Sequence, residues 1–189
     1  MDDQTDPNNT LETRTDLQLI AAINGGDERA FEALYFRHRD WVTSLAYRFT
    51  GDDNLALDVL QETFLYLLRK FPGFVLTAQL KTFLYPAVKN LSIAARRKAE
   101  RHQSTEVELA VLENEASVEP VAAGAKDLEA VLANLSAEQR EVLLLRFVDG
   151  LSLNEIAEAM EIPLGTVKSR LHHALASLRD DPRTKTFFD

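Results

Sequence analysis

The stretch Ser152-Leu153-Asn154-Glu155-Ile156-Ala157-Glu158-Ala159-Met160-Glu161-Ile162-Pro163-Leu164-Gly165-Thr166-Val167-Lys168-Ser169-Arg170-Leu171 decides how this chain folds. Ser152 followed by Glu155 is a capping box, in which hydroxyl and carboxylate each satisfy an amide that the first helical turn leaves open. It starts a short helix whose Leu153, Ile156, Ala157 and Met160 fall on one side. Glu161-Ile162-Pro163 turns the chain, and a longer helix follows with Val167, Leu171, Ala174 and Leu178 facing inward. Short helix, tight turn and longer helix form a helix-turn-helix, whose second helix enters the major groove of DNA. Its outward positions are Thr166, Lys168, Ser169, Arg170 and His173. Arginine reads guanine with two hydrogen bonds, which Arg170 can supply; Thr166 and Ser169 reach bases or phosphates, and Lys168 adds a point charge. Residues 163–179 carry Lys168, Arg170 and Arg179 and no acid, so this face suits a polyanion.

Upstream, residues 126–135 are helical in pattern, Ser136 with Gln139 is a second capping box, and residues 142–148, apolar but for Arg146, are expected as a buried run closed by Gly150. Residues 102–125 differ from everything around them. They hold five glutamates, no lysine or arginine, Pro120 and an Ala-Gly run, which predicts a flexible acidic linker with at most a helical turn at 107–112.

Before the linker the period is again helical. Thr15 with Gln18 is a third capping box ahead of Leu17, Ile20 and Ala21, and Gly25-Gly26 stops that first helix. A second helix starts near Asp27 with the stripe Phe31, Leu34, Tyr35, Val42, Leu45 and Phe49, and ends at Gly51. A third, at about 54–70, buries Ala56, Val59, Phe64, Leu67 and Leu68, until Phe71-Pro72-Gly73-Phe74 breaks it. A fourth runs over 78–101, where Pro86 predicts a kink or break near 82–86 because proline cannot donate its backbone hydrogen bond. No alternating strand pattern of useful length is present. The expected fold is all-α: two small helical domains, 16–101 and 126–181, joined by the linker 102–125, with a disordered N-terminal tail at 1–15 and a C-terminal tail at 182–189.

The fourth helix carries the other cationic segment. Residues 81–101 hold six basic side chains against Glu100 alone, in a chain whose net charge is −9. Phe83 and Tyr85 stand near its start and Phe71 and Phe74 in the loop before it; rings beside cations suit single-stranded DNA, where bases stack and cations follow the backbone. Rings at helical spacing fit a core equally well, and burial is the plainer reading of Phe83.

With 189 residues, 46% of them hydrophobic, the chain is long enough for one medium or two small cores. The absence of cysteine excludes disulfides, thiolate metal sites and thiol nucleophiles. Residues 1–15 lack the apolar core of a signal peptide and no later run approaches a membrane span, so a cytoplasmic protein without membrane insertion is expected. His38, His102, His172 and His173 have no metal-ligand company, and there is no HExxH, phosphate-binding glycine loop or serine elbow. No catalytic residue, metal or cofactor is expected.

Asp58-Val59-Leu60-Gln61-Glu62-Thr63-Phe64, residues 80–97, and Ile162 through Leu171 occur in an order that resembles the extracytoplasmic-function (group 4) sigma-70 family of RNA polymerase sigma factors. The resemblance covers about 16–101 and 126–179. It implies that Asp58, Gln61, Glu62 and Phe64 belong to a region 2 surface that docks on core RNA polymerase. It implies that Phe83, Asn90, Arg96 and Arg97 read and melt the −10 element of promoter DNA. Thr166, Lys168, Ser169, Arg170 and His173 would read the −35 element as duplex, and the acidic linker would thread the RNA-exit path. An anti-sigma factor is a further implied partner. The chain departs from the family where Phe83 replaces a common tryptophan, where His173 and Leu175 replace common basic residues, and at Pro86. Two other classes of function stand beside the initiation factor: a sigma-mimicking adaptor that binds an anti-sigma factor without initiating transcription, and an enzyme. Retention of Lys168, Arg170, Arg96 and Arg97 argues against the mimic, and the missing catalytic motifs against the enzyme. A simple transcriptional activator would not need the 58–64 stretch.

Overall fold

The capping boxes and glycine stops set the helix ends of the structure, a computed structural model that describes residues 13–107 and 131–184. The described residues are helices and connections with no strand, and the chain divides into two compact units, Met1–Ala110 and Val111–Asp189.

In the first unit α1 spans Asp16–Asn24, α2 Glu28–Thr50, α3 Asp53–Leu68 and α4 Leu80–Val107. The Thr15 hydroxyl accepts from Gln18 N while the Gln18 side chain accepts from Thr15 N, as the box requires. Asp27 and Asp52 cap α2 and α3 with their carboxylates. Gly51 ends α2 in the left-handed conformation, φ 69°, which a side chain would resist. The core is made by Leu19, Ile20 and Ile23 of α1, Leu34, Val42 and Leu45 of α2, Val59, Phe64 and Leu67 of α3, and Leu80, Leu84, Tyr85 and Val88 of α4. Leu68, expected inside, is instead exposed, and so is Leu17.

Pro86 does not break or end α4: helical structure runs unbroken from Leu80 to Val107. The lost bond falls in the second turn, where Leu84, Tyr85 and Val88 are almost wholly buried, and burial of three such side chains exceeds the roughly 3 kcal/mol that an interior proline costs. The helix also continues past 101 into the segment expected as linker; the rest of that segment, including most of the turn expected at 107–112, lies outside the described residues.

The second unit contains α5 (Ala137–Phe147), α6 (Leu153–Ala159) and α7 (Leu164–Asp180), preceded by a helical end at 131–133. The Arg140 guanidinium donates to the carbonyls of Leu132, Ala133 and Leu135, closing the preceding helical end with a side chain. Val131, Leu135, Leu143, Ala174 and Leu178 form one buried cluster, with Leu132, Leu171 and Leu175 packed against it, and Val142, Leu145, Leu151, Ile156 and Val167 are buried as well. The apolar run at 142–148 does not stay inside: Phe147 and Val148 are 63% and 68% exposed. Arg146 interrupts the run, and beyond it the end of the helix turns Phe147 and Val148 away from the core. Residues 182–184 are not a loose tail. The Thr184 hydroxyl is buried and donates to the carbonyl of Leu178, and Asp181 takes hydrogen bonds from the side chain and then the backbone of Arg183, which hold its carboxyl down at about 2.

Candidate nucleic-acid interface

The second helix of the helix-turn-helix is aimed by its turn. Ser152 and Glu155 cap α6 reciprocally, at 3.3 and 2.7 Å. Glu161 then adopts a left-handed φ of 54°, and Ile162 N reaches back to Ala157 O at 3.0 Å, a helix closure normally given to glycine. Pro163 leads into α7 with no side-chain cap, and the first turn of α7 holds no acid. The outermost amides there are open to an anion. A β-carbon at Gly165 would meet nothing within 4 Å, and its backbone is not left-handed, so the protein itself does not require glycine at this place.

Val167, Ala174 and Leu178 bury the inner side of α7. Lys168, Ser169, His172 and His173 are exposed, while Thr166 and Arg170 are half-buried. All five residues expected to meet duplex DNA thus lie off the core, on one helix. Arg170 is not idle in the free chain: its Nη2 stands 3.9 Å from Glu138 Oε1, a long pair open to solvent on the Glu138 side that yields readily to a better acceptor. The His172 and His173 rings meet edge to face at 5.6 Å.

On α4 the expected strand-reading residues separate into two sets. Phe83, Asn90 and Arg97 recur every seven residues and so share one side over about 21 Å of helix. Asn90 and Arg97 are exposed. Phe83 is half-buried against the loop before α4, its ring 4.8 Å from Phe74 and stacked on Tyr66 at 6.1 Å. Lys70 Nζ lies 4.7 Å from the centre of the Tyr66 ring, which places a cation at the margin of this aromatic group. Arg96 stands apart. It donates to Phe49 O at 3.4 Å and pairs with Glu100 at 3.3 Å, fastening α4 to the end of α2.

Asp58, Gln61 and Glu62 are exposed on α3 and line one wall of an open groove of about 460 Å³. Its floor is Leu55, Val59, Leu91, Ala94, Ala95 and Ala99, and Lys98 stands on the α4 side. Phe64, expected with the docking residues, does not belong to this surface. It is 4% exposed, with edge contacts to Tyr35 at 4.8 Å and Phe31 at 6.3 Å, because its place on α3 faces α2. Leu57, Leu65 and Leu68 are exposed on the outer side of α3 and were missed. The signal was present: α3 carries more apolar residues than one buried stripe uses, and the surplus must face outward.

Among the described residues no group of His, Asp or Glu side chains is placed to hold a metal ion, and no helix is long and apolar enough to cross a membrane.

Two family models match the chain, sigma-70 region 2 over residues 34–102 and sigma-70 region 4 over residues 125–178. Among curated proteins it is 30% identical to the ECF RNA polymerase sigma factor SigW of Bacillus subtilis, over 87% of this chain and 95% of that one. It is 29% identical to the RNA polymerase sigma-H factor of Pseudomonas aeruginosa, over 87% and 92%, and 28% identical to the ECF RNA polymerase sigma-E factor of Escherichia coli, over 86% and 92%. The fold is similar to that of CnrH, solved in complex with the cytosolic domain of CnrY, at a TM-score of 0.61 and 23% identity over 86% of this chain and 93% of that one. It is similar also to the sigma factor RpoE of Bartonella quintana, solved with the anti-sigma factor NepR, at 0.60 and 24% identity over 79% and 94%.

Proposed function

This chain belongs to the extracytoplasmic-function branch of the sigma-70 family, and we propose a division of labour between its two units that follows from that membership. As a sigma factor it binds core RNA polymerase and directs initiation at specific promoters. The family is not an enzyme class. Initiation through this chain makes and breaks no bond of its own; strand opening is driven by binding energy to the separated bases.

In the first unit, Asp58, Gln61 and Glu62 dock on the polymerase, along the groove between α3 and α4. The exposed Leu57 and Leu65 supply apolar area beside them, and Phe64 acts only by holding α3 in place. Phe83, Asn90 and Arg97 follow the melted −10 strand, a ring, an amide and a cation on one side of α4. Arg96 contributes charge while bracing α4. In the second unit α7 reads the −35 element, Arg170 through a base edge and Thr166, Lys168, Ser169 and His173 through bases or phosphates. The working place is the cytoplasm, and an anti-sigma protein of the kind captured on the Bartonella RpoE is a further partner.

The observation that carries this reading is the alignment of Phe83, Asn90 and Arg97 on α4 in the same unit as the acidic groove wall of α3. A sigma mimic has no use for that row of contacts. The test is transcription in vitro by core polymerase with the purified chain over a library of promoter variants. Initiation restricted to a subset of −10 and −35 sequences supports the reading; faithful binding to core without any promoter-directed transcript refutes it in favour of the mimic.

A further inference from the structure

The last residue of α1 reaches fifty positions along the chain to hold a loop. Asn24 Nδ2 donates to Phe74 O at 2.8 Å, while Asn24 Oδ1 accepts from Phe74 N at 3.0 Å and from Gly73 N at 2.6 Å. One carboxamide thereby satisfies both backbone polar groups of Phe74 and the amide before it, in the pattern a neighbouring strand would give. Loops at a surface ordinarily satisfy these groups with water and remain free to shift. This one is pinned at the residue whose ring matters: Phe74 lies 4.8 Å from Phe83 and 5.5 Å from Phe71. Val75, directly after the clasp, is 76% exposed.

We propose that Asn24 is a positioning residue for reading of the −10 strand, fixing the 71–75 loop and through it the Phe74–Phe83 face at the head of the Phe83, Asn90, Arg97 row. The inference rests on the assignment of that row to the −10 strand. A ring presents a stacking face to an unstacked base only while it is held at one angle, and Phe83 is held from the loop side by Phe74. Phe74 in turn has its backbone fixed by Asn24 and its ring packed on Phe71. Without the carboxamide, three hydrogen bonds to the loop disappear together and Phe74 loses its backbone anchor. Asn24 touches no DNA in this scheme, and nothing on the sequence between 24 and 74 announces the pairing.

The test uses holoenzyme assembled from core polymerase and full-length chain, transcribing two libraries, one varied in the −10 element and one in the −35 element. Asn24→Ala is expected to flatten base preference at one or more −10 positions by about fivefold or more, with −35 preference unchanged. Asn24→Asp keeps the two accepted bonds but sets a carboxylate oxygen against Phe74 O, and is expected to show a smaller loss at the same positions. Retention of the wild-type −10 preference by either variant overturns the inference. So does an equal loss of −10 and −35 discrimination, which marks a role in folding alone. Should Asn24→Ala yield no folded protein, Asn24→Asp decides by the same ratio. Failure of the wild-type chain to direct promoter-specific initiation refutes the assignment of the row itself, and is seen in a separate arm.

Discussion

Asp16 Oδ2 lies 2.9 Å from Nε2 of His38, so the first residue of α1 is fastened to the middle of α2. The other oxygen of the same carboxylate accepts from Arg37 at 2.7 Å. Burial alone raises the Asp16 pKa, but hydrogen bonds and charge from His38 and then Arg37 outweigh it and set it below the ordinary carboxylate range. A depressed folded pKa contributes stability that is complete above the unfolded value, about 3.9, and lost as pH falls through the folded one. Asp16→Asn is therefore expected to cost about 1–2 kcal/mol at about pH 5, allowing for the solvent on one side of the pair. The difference from wild type should shrink below about pH 4. Urea unfolding read by Trp41, the only tryptophan, reports on this unit. A difference that grows on acidification contradicts the assignment.

Phe64 and Gln61 occupy the same helix and separate structure from docking. Phe64→Ala removes a ring packed on Phe31 and Tyr35 and is expected to destabilise the first unit by about 3–5 kcal/mol. Gln61→Ala, at an exposed position, should leave stability within about 0.5 kcal/mol of wild type and weaken association with core polymerase. The reverse pattern would move the docking surface elsewhere.

Gly165 offers a test in which stability and function move in opposite directions. An alanine there has open space and a helical backbone, so Gly165→Ala should stabilise the second unit by about 0.5–1 kcal/mol. The added methyl stands at the uncapped start of α7, where a phosphate would approach, and −35-dependent transcription should fall several-fold. Unchanged transcription by the more stable variant would place the DNA backbone away from Gly165.

Arg170 has its own discriminating experiment. Arg170→Ala is expected to cost about 1–3 kcal/mol at one base pair of the −35 element and little at others, the worth of a two-bond contact with a base edge. The same loss at every sequence would show Arg170 on a phosphate.

Much of the fold could be read before the structure because its signals are local. The boxes at Thr15, Ser136 and Ser152 need only a residue and its third neighbour, and all three form. The outward residues of α7 follow from its inner stripe. What the sequence hides is nonlocal or concerns which side an apolar residue takes. In writing, Phe147 and Val148 follow the apolar 142–145 stretch with only Arg146 between, but they leave the core in space. Phe64 sits among docking residues in sequence, yet one step around the helix turns it inward. Pro86 reads as a breaker because its cost is local while the packing of Leu84, Tyr85 and Val88 that offsets it is not. His38 is paired with a residue 22 positions away, and the clasp of Asn24 on Phe74 spans 50. No periodicity contains either.

Three paired substitutions, compared in one assay of core binding and transcription, test the division of labour most directly: Asp58→Ala with Glu62→Ala, Asn90→Ala with Arg97→Ala, and Lys168→Ala with Arg170→Ala. The first pair is expected to lose association with core polymerase. The second and third should keep that association while transcription falls at least tenfold, the second at the strand-opening stage and the third at recruitment to the duplex. Undiminished transcription with both the Asn90–Arg97 and the Lys168–Arg170 pairs replaced, or undiminished core binding with the acidic pair replaced, would contradict the account.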